Sequence, residues 1–469
     1  MPAAFGHIVF EKAERLTGGN AMPSIRTTRR HLLQAGAAGT APSWLQAGKA
    51  PAQTGSAKPF QGVTLNVSCW SAPYPRFLAD HIPEFTAATG IRVNYDTPGF
   101  PIYNQRADLE LSTHGSAFDV MNITFIYSSR WIGAGWFTPL DGYLNDRNKT
   151  PADWDFADFV PGSVAPLKDR NGVVHGVPWI TDVYMAGAGR FDLLRAAGLG
   201  MPDSFEELER SLAAVHNKDG VPSFVVENHY GWTWIPYLQG FGGNVFRAPP
   251  DDLMPTLDTP EAAAAADYLA KLLRSFGPPG ALGYNYDQVT AGLRAGRVNY
   301  STNNQAFLVL MGEQGSRVRE TANFSLMPRG PAGRFPGIAA HGWGIPAGSR
   351  NKDAAWEFIK WSMSKELLGR IVREKGYGSV TRRSILDDPA FRERMMVNGV
   401  DVTKLYLDSI AFAEQGHMRY RTVHVYPQVN AQITQAIERV VSGQMGARES
   451  LRQAQANAIA DLKRAGVRL

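Results

Sequence analysis

HGWGIPAGSRNKDAAWEFIKWSMS, residues 341–364, reads as a strand, a polar loop and a helix in immediate succession. A short apolar run stops at Pro346, a loop of Gly, Ser, Arg and Asn follows, and an amphipathic helix opens at Asn351 or Lys352. Ala355, Trp356, Phe358, Ile359, Met363, Leu367 and Ile371 recur at helical spacing, so this helix buries a broad apolar face and Trp356 and Trp361 belong to packing. Trp343 is left at a strand end, where a large aromatic either fills a core or faces a cleft.

Working outward, the same alternation recurs upstream. Val63–Cys69 is apolar and β-rich, Phe77–Thr89 has helical spacing up to Gly90, and Ile91–Tyr95 is a second strand. Tyr103–Ser112 then reads as a helix and Phe118–Ile123 as a buried strand. Such alternation predicts an α/β protein with open sheets flanked by helices and a site beyond the carboxyl ends of the strands. Downstream, helices dominate. Asp203–His216 carries an N-cap candidate in Asp203 or Ser204, Pro260–Phe276 is alanine-rich, and Gln428–Leu469 forms a helical tail broken near Gly443 and Gly446.

The amino terminus points to export. SIRTTRRHLLQAGAAG, residues 24–39, sets Arg29 and Arg30 before an apolar, small-residue run, resembling a twin-arginine signal with cleavage near Ala50 and Ala52 or near Gly55 and Ala57. Met22 is an alternative start. No later stretch reaches the ~20 apolar residues of a spanning helix, so the mature chain is expected to be soluble. The net charge is +5, but residues 1–52 hold six basic and two acidic residues, which leaves about +1 for the remainder and no argument for nucleic acid. The single cysteine, Cys69, cannot form an internal disulfide and reads as a buried strand residue. About 415 mature residues exceed one ordinary core and suggest two lobes.

Several segments resemble the family 1 extracellular solute-binding proteins of ABC importers, the relatives of maltose-binding protein. Residues 341–364 resemble the family's glycine, tryptophan, glycine strand and following helix. FDVMNITFIYSSRWIGAGWFTPLDGYL (118–144) is similar to its aspartate–valine strand, helix and proline–leucine–aspartate turn. VVHGVPWITDVYMAGAGRFDLLRAAGLGMPDSFEEL (173–208) resembles its hinge and crossing strands, although Ala188 and Gly189 stand where relatives commonly carry tyrosine and asparagine. AGLRAGRVNYSTNN (291–304) and VVSGQMGARESLRQAQANAIADL (440–462) complete the likeness. The resemblance implies a two-lobed periplasmic binding protein fold of type II-like form, with mixed sheets and a ligand cleft between the lobes. It places one lobe at residues 58–180 plus 323–375 and the other at 181–322 plus 376–469. It further implies a monomeric, exported substrate-binding component that captures a carbohydrate or polyol and delivers it to membrane permease subunits, without cofactor or metal.

A sugar or polyol needs hydroxyl partners and flat aromatic surfaces for its C–H faces. Trp70 and Tyr74 follow the first strand, Tyr127 the third and Trp179 the hinge strand; Trp232 and Trp234 lie in NHYGWTWIPYLQGFGG, and Trp343 closes the opening motif. For any one tryptophan a core role is as common as a ligand role, yet 11 Trp is a heavy use of so large a residue, and for the group placed after strands it favours a cleft. Asp182, Arg382, Thr124, Asn303 and the neighbouring Asn304 are the polar candidates, with ion pairing or helix capping as their ordinary alternatives. Arg383 shares the candidacy of Arg382, and Asp119 reads as a structural carboxylate within its strand. Enzyme signatures are missing: there is no H-E-x-x-H, P-loop, G-x-S-x-G or cysteine pair, and His114, His175 and His229 are isolated. The rival readings are a secreted carbohydrate-active enzyme with two carboxylates and a binder of a polyamine or other non-sugar solute.

Overall fold

The alternating pattern from Val63 onward folds into a first sheet whose parallel strands are β1 (Thr64–Ser68), β2 (Arg92–Asp96) and β3 (Val120–Ile123). The computed structural model describes residues 58–184, 186–303, 309–312 and 314–469; the expected leader and its cleavage options lie outside the described residues, as does Asn304. Leu65 and Val67 are fully buried, and all four residues of β3 are buried, as expected for a central strand covered on both faces. β4 (Val177–Tyr184) completes this sheet, and β5 (Ala186–Arg190) begins the second one, so the chain passes between sheets across a single residue.

The second sheet contains β6 (Phe224–Val225), β9 (Tyr300–Asn303) and β10 (Ala322–Ser325) beside β5, in the order β10-β5-β9-β6. A hairpin of β7 (Phe246–Ala248) and β8 (Asp252–Pro255) stands apart. The chain then returns to the first sheet as β11 (Gly337–Gly344), which inserts between β3 and β4 and runs antiparallel to both. Both sheets are therefore mixed, and the two-lobed periplasmic binding protein architecture holds.

The departure at Ala188 and Gly189 has a packing counterpart. A Cβ on Gly187 would lie 2.1 Å from Tyr300 Oη, and one on Gly189 would lie 2.4 Å from Tyr300 Cδ2. Aromatic bulk is supplied by the adjacent strand β9, and only glycine leaves room for it on β5.

Two helices differ from the periodicity. The helical spacing over Phe77–Thr89 is divided into Pro73–Ala79 and Ile82–Thr89, because Pro83 lacks the N–H that a continuous helix would need. The helix of the opening segment ends at Ser362, and Ser364 caps a new one, Lys365–Lys375, by accepting from Leu367 N at 3.2 Å. Elsewhere the caps act as read: Ser204 accepts from Glu207 N, the alanine-rich helix spans Pro260–Phe276, and the tail divides into Tyr426–Ser442 and Ala447–Arg464 with Gly443 left-handed at φ 78°. Asp119 fastens the opening motif to β1, accepting from Asn66 N, Ser349 Oγ and Asn351 Nδ2.

Candidate functional site

Strand direction decides which side chains reach the edge where a site can form. β1 and β3 deliver Trp70 and Phe125 just beyond their carboxyl ends. β11 runs the other way: Gly342 pairs with Ile123 and Trp343 with Asn122, so the strand enters at the carboxyl edge of β3 and retreats from it. His341 therefore lies at that edge, whereas Trp343, two residues on, lies about 6–7 Å deeper in the sheet.

His341 is the hub of an aromatic junction. Its ring centroid is 5.2 Å from Trp70, 5.3 Å from Phe125, 5.7 Å from Trp179 and 6.2 Å from Phe100. Trp232, beyond the end of β6 in the second lobe, meets Phe125 at 5.7 Å and Phe100 at 6.4 Å, both edge-to-face. The lobes thus touch through aromatic rings. Trp232 Nε1 donates to the buried carboxylate of Glu227 at 2.8 Å, and the His229 ring lies 4.6 Å from Trp232. Arg421 places its guanidinium 4.9 Å from the Phe125 ring and donates to Ile338 O.

Trp70 Nε1 donates to His341 Nδ1 at 3.3 Å. An indole nitrogen can only donate, so Nδ1 is the acceptor and Nε2 carries the proton of the neutral ring. Burial lowers the His341 pKa to about 3, which keeps the ring uncharged at neutral pH.

The sequence candidates divide by place. Trp70 and Trp232 belong to the junction. Trp179 stands behind it, fully buried, with Nε1 donating to Asn122 Oδ1 at 2.9 Å and Tyr74 stacked on it at 5.7 Å. Thr124 is buried and accepts from Asn122 Nδ2. Asp182 is buried on β4 opposite Ala339; after burial, its charge is the next cause that raises the pKa of Tyr377 and Tyr406. Trp343 packs between Trp179 at 6.0 Å and Phe358 of the opening helix at 6.1 Å, fully buried. Trp234 is fully buried in the second-lobe core.

Three candidates lie elsewhere. Arg382 is fully buried, pairs with Asp158 at 3.1 Å, and donates to the carbonyls of Met363, Asp155 and Trp154. Its guanidinium lies 4.1 Å from Phe159, so its donors are spent within the first lobe. Burial lowers the Arg382 pKa, while burial of Asp158 is outweighed by hydrogen bonds from Ser384 and Arg382 that hold its carboxyl below the ordinary value. Tyr127 is half-buried and stacked on Trp131 at 5.1 Å, with burial as the main cause of its raised pKa. Asn303 ends β9 opposite Ala186.

A groove of about 990 Å³ opens between the helix Ser128–Gly133, the loop Lys168–Asn171, the tip of the β7–β8 hairpin and Thr422–His424. It contains none of the sequence candidates. Ser129 Oγ donates to Thr422 O at 2.7 Å within it. Among the described residues no cluster of His, Cys, Asp or Glu could hold a metal ion, and no helix is long and apolar enough to cross a membrane. Cys69 is free and buried, and burial pushes its thiol pKa up.

Phe100, Phe125, His341, Glu227 and Arg421 were not among the sequence candidates. The post-strand rule that selected Tyr127 also covers Phe125, two residues earlier. His341 is hidden from sequence because its position depends on the antiparallel course of β11.

Known proteins share this architecture. A mannitol-binding protein of Pseudomonas aeruginosa is 24% identical over 386 residues, covering 78% of this chain and 85% of that protein. An erythritol/L-threitol-binding protein of Mycolicibacterium smegmatis is 23% identical over 350 residues, covering 70% and 72%. The crystal structure of an ABC transporter solute-binding protein from Agrobacterium radiobacter in complex with ribitol superposes with a TM-score of 0.77 at 21% identity, covering 86% of this chain and 99% of that one. Residues 71–367 match the profile described as bacterial extracellular solute-binding protein, and the chain belongs to that family.

Proposed function

We propose that this chain captures an uncharged polyol or sugar between its lobes and delivers it to the permease of an ABC importer. The observation that carries this reading is the junction of Trp70, Phe100, Phe125, Trp232 and His341, where apolar faces and a few oriented polar groups converge at the carboxyl edges of both sheets. Aromatic faces suit the C–H surfaces of a polyol, and the carboxylate of Glu227, held by Trp232 of the junction, suits its hydroxyl protons. The relatives named for mannitol and for erythritol and L-threitol, and the neighbour solved with ribitol, support the same ligand class.

Because rings from the two lobes are in contact, the lobes part to admit ligand and close on it, the hinge motion known for periplasmic binding proteins. Trp70 and Trp232 are assigned direct ligand contact, with Trp179 supporting Trp70 from behind. Arg382, Trp234 and Trp343 are assigned to the scaffold. The lobe limits expected from sequence remain part of this proposal, as does a monomeric state, save that the segment around Arg382 is counted with the first lobe, against which it packs. Family members act outside the cytoplasm, and export by the twin-arginine route rests on Arg29 and Arg30. Replacing both with lysine should retain the protein inside the cell.

Thermal shift of the exported protein against hexitols, pentitols, tetritols, mono- and disaccharides and polyamines tests the reading. A shift with polyols or sugars supports it; a shift confined to polyamines would overturn the ligand class. Unchanged recovery of the bound ligand separates binding from hydrolysis.

A further inference from the structure

We propose that His341 is the residue that reads a ligand hydroxyl, donating from Nε2 to a hydroxyl oxygen inside the aromatic junction. The inference rests on the ligand site proposed above and adds its polar specificity element. The Trp70 indole occupies Nδ1, so the imidazole has one donor left and no acceptor. The residue is 1% exposed, and among the described residues Nε2 makes no hydrogen bond. That N–H has no protein acceptor among the described residues, and a ligand oxygen would supply one.

The surrounding groups define what that oxygen belongs to. Trp70, Trp179, Phe100 and Phe125 enclose the imidazole with apolar surface. Glu227, bonded to Trp232, is an acceptor for hydroxyl protons, and Arg421 is a fixed cation over Phe125. A hydroxyl both accepts from His341 and donates to a carboxylate. An ammonium group offers no lone pair to the imidazole N–H, so a polyamine leaves His341 unsatisfied. Trp70 has a second part in this arrangement: by donating to Nδ1 it sets the tautomer, as a partner on one imidazole nitrogen commonly does.

The test uses the exported protein with D-mannitol, ribitol and erythritol as probes, and with analogues in which one hydroxyl is replaced by hydrogen. His341→Phe keeps a planar ring without the N–H, and His341→Gln keeps a neutral N–H. His341→Phe should bind the favoured polyol roughly 10- to 100-fold more weakly while His341→Gln recovers part of the loss. The deoxy analogue lacking the hydroxyl read by His341 should bind wild type and His341→Phe with nearly equal affinity. Nitrogen-15 NMR of the imidazole should show the Nε2–H tautomer before and after ligand addition, with the Nε2 proton moving downfield on binding. Wild-type affinity in a correctly folded His341→Phe protein, or an Nδ1–H tautomer, would overturn the proposal. If no polyol or sugar binds wild type at all, the ligand class fails instead, and the tautomer measurement still judges the imidazole assignment.

Discussion

His341 and Trp343 stand two residues apart on one strand, yet they belong to different regions of the molecule. The His341 region is a meeting of two lobes, built from rings that follow β1, β3 and β6 and joined by few polar contacts. The Trp343 region is a single-lobe core, continued through Trp179, Phe358 and the packing around Arg382. Residue type is similar in both. What separates them is the edge of the sheet on which they lie, and that follows from strand direction: on a strand antiparallel to its neighbours, the carboxyl end points away from the edge that collects the site.

Breaking the core side of this comparison should have the largest effect. Arg382→Ala removes the buried ion pair of Asp158, whose carboxylate then keeps only Ser384 and Lys365, and should cost about 3–5 kcal/mol of stability. Trp343→Ala opens a cavity in the same lobe and should cost about 3–5 kcal/mol, measured by urea unfolding of the ligand-free protein. The folded fraction of either variant should retain ligand affinity. A Trp343→Ala protein of normal stability with lost affinity would move Trp343 to the site and erase the distinction.

Acid should act next, and it acts on the junction. His341 is neutral in the folded chain down to about pH 3, whereas the unfolded residue takes up a proton near its ordinary 6.5. The unfolded state therefore binds more protons between those values, and stability falls as pH falls from 6.5 toward 3. The contribution is about 1.4 kcal/mol per pH unit, or roughly 2–3 kcal/mol lost between pH 6.5 and 4.5. His341→Phe should flatten that part of the stability profile, and an unchanged slope would contradict the buried neutral ring.

Trp232→Ala tests the junction from the second lobe. It should weaken polyol binding by roughly 10-fold or more in calorimetry, with less loss of stability than Trp343→Ala. The smallest effect is expected at the groove, where Ser129→Ala removes one exposed hydrogen bond to Thr422 O. A stability change of about 0.5–1 kcal/mol should appear, and faster ligand release would show that this bond helps hold the lobes closed.

Much of this was legible without coordinates. Helix limits at Ser204, Pro260, Gly443 and Gly90 follow from local capping and backbone preferences, and the alternation around β1 to β3 follows from burial of a sheet between helices. The break at Pro83 was readable in principle, since a missing N–H is a local property. Trp70 was readable as a residue that follows a strand, and Trp232 as part of the aromatic segment NHYGWTWIPYLQGFGG. Arg382 was not, because its partners Asp158, Trp154 and Met363 are brought to it by the fold.

By itself, the order of residues determined the α/β class, the two lobes, the scaffold role of the helix after Lys352 and the family, because periodicity, caps and ordered motifs are properties of neighbours along the chain. Only the tertiary structure decided that β11 enters between β3 and β4 in the opposite direction. That choice buries Trp343 and brings His341 to the junction, since which end of a strand reaches the site depends on partners contributed by distant parts of the chain.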